Sequence, residues 1–167
     1  MPYQKSASKF FEMFARLEYE MCLKGIARID ERNLLISADW NHLFKNTSDA
    51  NAEQVIAFIE QFSDIAINDH PQQLFFNEGV NEFEWKLPES DLINFHNFSR
   101  LSKKDQFNRI TLALRRVRNN LFHGSKMKDP SQWTNERLDQ CFPILEELFT
   151  LVNNAKYKQP RKILDQK

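Results

Sequence analysis

Apolar residues recur at spacings of three and four along most of this chain, which is the period of an amphipathic helix. The first such stretch covers about residues 8–24 and is expected to end at Gly25. Its apolar face consists of Phe10, Phe11, Phe14, Leu17 and Met21. Only three glycines occur among the 167 residues, which leaves little material for tight hairpins or glycine-rich phosphate loops. The pattern predicts an all-α fold, an up-and-down bundle of about four to six helices.

Two shorter helices are predicted in the next part of the chain. Asp39 can cap a helix that runs through Trp40, because an aspartate side chain accepts hydrogen bonds from the free N–H groups of a first turn. Ser48 or Asp49 can cap a third helix by the same means. The buried stripe of that third helix would consist of Val55, Ile56, Ile59, Phe62 and Ile65.

Two longer helices are predicted in the second half. Ser102 and Asp105 have the spacing of a capping box, and the helix that they begin should end at Gly124. Its apolar face consists of Phe107, Ile110, Leu114, Val117 and Leu121. A last helix over about residues 134–154 contains Pro143, which should kink it or restart it because proline cannot donate a backbone hydrogen bond.

The middle and the end of the chain lack a helical period. Residues 69–90 contain two prolines and a glycine among scattered aromatic residues, which predicts a long irregular loop with a short hairpin. No repeat or interdomain linker is visible, so residues 1–155 are expected to form a single domain. The basic tail, residues 156–167, is expected to fray.

The charges are unevenly distributed, although the net charge is zero. Between Asp49 and Asp91 there are ten acidic residues and one basic residue, whereas between Arg100 and Lys128 there are nine basic residues and one acidic residue. Either the second segment binds an anionic partner, or the two segments neutralise each other. The sequence leaves both interpretations open.

Several classes of protein are not indicated. Cys22 and Cys141 lie far apart and predict neither a disulfide framework nor a zinc site, so no metal and no cofactor is expected. No stretch resembles a membrane span of about 20 apolar residues, and the first residues do not resemble a signal peptide. A cytoplasmic protein without membrane attachment is therefore expected.

Arginines, amides and a histidine are concentrated in the segment RRVRNNLFHG, residues 115–124, just before the helix is expected to end. Arg118, Asn119 and His123 resemble the RNxxxH motif of the HEPN superfamily. The order of the predicted helices resembles that superfamily over most of the chain. The resemblance implies a HEPN-like helical domain that forms a homodimer and cleaves RNA, as a toxin or an antiphage defence component. It also implies an antitoxin or a nucleotidyltransferase as a partner.

Helical geometry limits how the motif residues can meet. At about 100° per residue, Asn119 and His123 are about 40° apart and Arg116 lies within about 20° of His123, whereas Arg118 is about 140° away. A long side chain, a distorted last turn or a two-fold dimer would bring Arg118 towards His123.

A metal-independent mechanism follows from these residue types. RNA carries its own nucleophile, the 2′-hydroxyl, and two His123 side chains across a dimer axis could supply one base and one acid. Arg118 would stabilise the phosphorane charge, and Asn119 would orient His123 or the phosphate. Flanking phosphates would contact the remaining cations, which are Arg115, Arg116 and Lys126.

Three other interpretations remain. The same basic helix end can belong to a non-catalytic HEPN-like module that binds RNA, a nucleotide or a partner protein. Cations near a helix C-terminus also interact favourably with the helix dipole, without any function. Asp69 with the Glu84-Trp85-Lys86 segment faintly resembles the acid-x-Lys element of metal-dependent nucleases, whose chemistry needs paired strands and a divalent ion.

Overall fold

The computed structural model describes residues 2–68, 70–87, 97–124 and 135–163. The helices in these ranges are α1 (Pro2–Leu23), α2 (Trp40–Ala50), α3 (Ala52–Phe62), α4 (Asp64–Ile67), α5 (Lys103–Gly124) and α6 (Asn135–Asn154), with a 3-10 helix at Phe98–Arg100. The strands are β1 (Ala27–Asp30), β2 (Ile36–Ala38), β3 (Gln73–Asn77), β4 (Glu82–Lys86) and β5 (Arg161–Ile163). The fold is broadly helical, but the all-α prediction is too strict because the strands form two small sheets.

The chain divides into two compact units. The first is built from residues 1–58 and 135–167, and the second from residues 59–134. The predicted single domain over residues 1–155 stays a prediction. None of the helices in the described ranges has the length and apolar character needed to cross a membrane.

Helices α1 and α6 pack against each other and supply most of the core of the first unit. The predicted face of α1 is confirmed, since Phe10, Phe14, Leu17 and Met21 are buried, although Phe11 is only half-buried. The matching face of α6 consists of Leu138, Cys141, Leu145, Leu148 and Val152, all buried. Pro143 does not restart α6, which is a single helix from Asn135 to Asn154.

A three-stranded sheet follows α1, in the order β2-β1-β5. β1 pairs with β2 in antiparallel fashion and with β5 in parallel fashion. The prediction that the tail frays is therefore wrong for residues 161–163. The physical reason is that β1 offers a free edge, and that the backbone N–H of Lys158 donates to the carbonyl oxygen of Lys24 (3.0 Å), which brings the tail to that edge.

The helix caps differ in part from the predictions. Asp39 does precede α2, but its side chain makes no capping hydrogen bond. The proposed capping of α3 by Ser48 or Asp49 is wrong, because α2 continues to Ala50 and the side-chain oxygen of Asn51 accepts from the backbone N–H of Gln54 (3.0 Å). In the predicted stripe, Ile56 is exposed and Phe62 half-buried, whereas the others are buried.

The second unit places the β3–β4 hairpin and helix α4 against α5. The hairpin expected within residues 69–90 is confirmed. The capping box is confirmed as well, since the hydroxyl of Ser102 accepts from the backbone N–H of Asp105 (3.1 Å) and donates to its carboxylate (2.7 Å). The predicted apolar face of α5 is buried throughout.

Candidate functional site

The described motif residues lie in the last turns of helix α5, which runs without interruption to Gly124. The buried side chains of Val117 and Leu121 fix the rotation of the helix about its axis. Arg118 and Asn119 lie on the side of the helix away from these two residues, and Asn119 is exposed and Arg118 half-buried, whereas Asn120 is buried. The 22 residues of α5 form a stable base for these side chains because the apolar face of the helix is buried along its length.

Arg118 and Asn119 are in contact. Nε of Arg118 donates to Oδ1 of Asn119 at 3.2 Å. Neighbouring positions on a helix point about 100° apart, so the arginine side chain must bend around the helix towards the amide. This is the side on which helical periodicity places residue 123. The bend thus brings the guanidinium closer to position 123 than the angle of about 140° between the two positions around the helix axis would suggest.

Arg116 has a different environment from the one expected of a phosphate ligand. One Nη group contacts Nε2 of His70, a side chain that is only 7% exposed. A guanidinium can only donate, so Nε2 accepts in this contact and carries no proton. One turn later, Nδ2 of Asn120 donates to the backbone carbonyl of Gln72 (2.7 Å). Both contacts attach the segment 70–72 to α5.

Sequence reasoning had not assigned this role to His70 and Asn120. The spacing of four residues between Arg116 and Asn120 places the two side chains on one helix face, and this spacing could have predicted that both contact the same segment. Their partners come from a segment 46 to 48 residues earlier, which no local pattern reveals.

The other predicted site residues are described only in part. The backbone of His123 belongs to α5, but its side chain lies outside the described residues, as does the whole of Lys126. Arg115 is half-buried on the same helix. The approach of His123 to Arg118 stays a prediction.

The residues considered for a metal-dependent nuclease lie on the hairpin. Glu84 is exposed on β4, and Nζ of Lys86 lies 5.2 Å from the centre of the Phe75 ring. Asp69 lies outside the described residues. Within the described ranges, no group of three or more histidine, cysteine, aspartate or glutamate side chains is arranged to hold a metal ion.

Neither cysteine has the environment of a nucleophile. Burial raises the pKa of the Cys141 thiol to about 12, and its Sγ donates to the carbonyl oxygen of Arg137. Burial, together with the nearby charge of Glu18, also raises the pKa of Cys22. The reactive thiolate is therefore disfavoured at both positions.

No protein-family model, curated protein or solved structure matches this chain. The resemblance to the HEPN superfamily therefore stays a prediction from the motif residues and from the order of the predicted helices.

Proposed function

We propose that this protein is a HEPN-like, metal-independent endoribonuclease whose site lies at the C-terminal end of α5. The observation that carries the proposal is the contact between Nε of Arg118 and Oδ1 of Asn119, which holds a guanidinium beside an amide at a partly exposed position. A guanidinium donates two parallel hydrogen bonds to a phosphate, and a neighbouring acceptor that fixes its orientation reduces the entropy lost on binding.

The chemistry uses the 2′-hydroxyl of RNA as nucleophile. His123 removes the proton of this hydroxyl, and a second His123 protonates the leaving 5′-oxygen. Arg118 stabilises the charge of the phosphorane, and Asn119 keeps the guanidinium in place. Arg115 binds a neighbouring phosphate. Arg116 contributes mainly through its contact with His70, which holds the segment 70–72 on the helix.

The homodimer is part of this proposal, because one chain supplies a single histidine to the motif whereas the reaction needs an acid and a base. A two-fold axis beside α5 would place two copies of Arg118 and His123 in one cleft. The resemblance further suggests a toxin or antiphage role, controlled by an antitoxin or a nucleotidyltransferase.

The experiment compares the wild-type chain with the His123→Ala and Arg118→Ala variants on a labelled RNA. Cleavage should leave a 2′,3′-cyclic phosphate and a 5′-hydroxyl, and should persist in excess EDTA. Loss of an acid–base group should slow cleavage by about 10²–10⁴-fold. Lys104→Ala is the matched control, because Lys104 is an exposed cation in the first turn of the same helix and should be dispensable for the chemistry.

The substrate offers a second control. An oligonucleotide with a single 2′-deoxy residue at the cleavage position lacks the nucleophile and should resist cleavage there. Loss of activity in EDTA with recovery in magnesium would refute the mechanism. RNA binding by the wild-type chain without cleavage would instead support the non-catalytic module.

A further inference from the structure

The first unit contains a polar pocket of about 170 Å³ that the ribonuclease proposal does not use. It lies where the start of β1, helix α2 and the β5 segment meet. Seven of the residues that line it have charged or polar side chains, namely Asp39, His42, Lys45, Asn46, Lys158, Gln159 and Arg161. Three of the seven are fixed cations and only one is a carboxylate, so the lining favours an anion.

Asp39 organises this lining although it is itself only 2% exposed. Its Oδ2 accepts from Nε of Arg161 (3.2 Å) and lies 3.1 Å from Nδ1 of His42. A buried carboxylate is costly unless it is paired, and the hydrogen bond from Arg161 supplies the compensation. This bond also holds Arg161 at the pocket, next to His42 of α2, while the two Nη groups of the guanidinium and Nε2 of the imidazole do not take part in these contacts.

Helix α2 brings further polar groups to the same side. His42, Lys45 and Asn46 are separated by three and four residues, so the three side chains share one helix face. Asn46 is buried, and Lys45 is exposed. Lys158 forms an ion pair with Asp49 (2.7 Å), but an exposed pair of this kind contributes little and exchanges partners readily.

The volume limits the ligand. A pocket of about 170 Å³ has room for about five to six water molecules at roughly 30 Å³ each. Pockets for drug-sized molecules begin at about 300 Å³. A single tetrahedral anion fits this volume, and phosphate matches the donors best because its oxygens accept from a guanidinium and from ammonium groups together.

We propose that the pocket binds the terminal phosphate of a phosphate monoester, with Arg161, Lys45 and His42 as its ligands. The rest of the ligand would extend into solvent through the open side of the pocket. The proposal depends on residues of the first unit alone and is independent of the activity proposed for α5. The monoester can be a free nucleotide or the 5′-phosphate end of a nucleic acid, since both present the same group.

The test is a titration of the full-length chain with inorganic phosphate, followed by backbone amide shifts in NMR spectra. Amides of residues 39–46 and 158–161 should shift. Adenosine 5′-monophosphate should bind at the same residues and adenosine should not. RNA with and without a 5′-phosphate is then titrated in the same way. Whichever of the nucleotide and the 5′-phosphorylated RNA binds more tightly is the source of the phosphate group that the pocket recognises.

The variant Lys45→Gln should weaken phosphate binding about tenfold, because it removes one charge-assisted hydrogen bond. Lys162→Gln is the matched control, since Lys162 is exposed on β5 beside Arg161 but does not line the pocket. Arg161→Gln would leave Asp39 buried without its main partner. Arg161 is therefore tested in a double variant with Asp39→Asn, which removes both charges and should abolish phosphate binding. The proposal would be overturned if phosphate shifted none of these amides. It would also be overturned if Lys45→Gln and Lys162→Gln lost the same amount of phosphate affinity.

Discussion

Replacing Gly25 with alanine should detach the β5 segment from the first unit. Gly25 has a φ of +74°, a left-handed conformation that costs an L-residue about 1 kcal/mol. The larger effect is steric, because an added Cβ would lie 1.5 Å from the carbonyl oxygen of Lys158. The obstacle is backbone and cannot rotate away, so the chain around residue 158 must move.

The magnitude follows from the contacts that this movement breaks. The hydrogen bond from the Lys158 N–H to the Lys24 carbonyl is lost, and so is the pairing of Arg161, Lys162 and Ile163 with β1. Arg161 also leaves Asp39, so the hydrogen bond between them is lost as well. At about 1 kcal/mol for each hydrogen bond, detachment and the backbone conformation together should reduce the free energy of unfolding by about 4–5 kcal/mol. A domain of this size has roughly 5–15 kcal/mol of stability, so the variant should still fold.

Urea unfolding followed by circular dichroism measures this loss, and a truncated chain isolates its cause. In a chain that ends at residue 156 the clash is absent, so Gly25→Ala should cost only the conformational part, about 1 kcal/mol. Gly79→Ala is the control, because an added Cβ there meets only the flexible Asn77 side chain at 3.3 Å. Equal losses for Gly25→Ala in the full and truncated chains would refute the steric argument.

Two further outcomes are expected. In the folded protein, a thiol reagent at pH 8 should modify Cys22 slowly and leave Cys141 unmodified, and rapid labelling of two thiols per native chain would contradict the burial of Cys141. The free energy of unfolding should also fall as the pH rises from about 9 towards 12. The reason is that the unfolded chain loses the Cys141 proton at its ordinary pKa of 9.0, whereas the folded chain retains it to about 12. Mixing His123→Ala with Arg118→Ala chains should restore part of the RNA cleavage if residues of two chains form each site, and a fully active monomer by light scattering would contradict the homodimer.

The helices were predictable because their signals are local. Phe10, Phe14, Leu17 and Met21 lie on one face of α1 through spacing alone, and Ser102 with Asp105 needs only four consecutive residues to begin α5. The end of α2 was not predictable in this way. Ser48 and Asp49 are good capping residues, but Asn51 offers the same chemistry two residues after Asp49, directly before the first residue of α3.

The two candidate sites also differ in how far apart their residues lie in the sequence. Arg118 and Asn119 are neighbours in sequence, so a short pattern identifies them, and their contact requires only a bent side chain. Arg161 lies 122 residues from Asp39 and reaches it because β5 pairs with β1. A tail with five basic residues and one acid gives no sign of such pairing, since its composition is that of a solvated end.

Asp39 lies directly before α2, as its sequence position predicts, but it does not cap the helix. An aspartate before a helix ordinarily caps it, which contributes about 1 kcal/mol. Here the carboxylate is 2% exposed and faces Arg161, and an unpaired charge at that depth would cost several kcal/mol. The pairing therefore outweighs the cap, and the first turn of α2 gives up its side-chain acceptor. Asp39 precedes α2 and also joins this helix to the tail, and its contact with Arg161 lies in the wall of the proposed phosphate pocket.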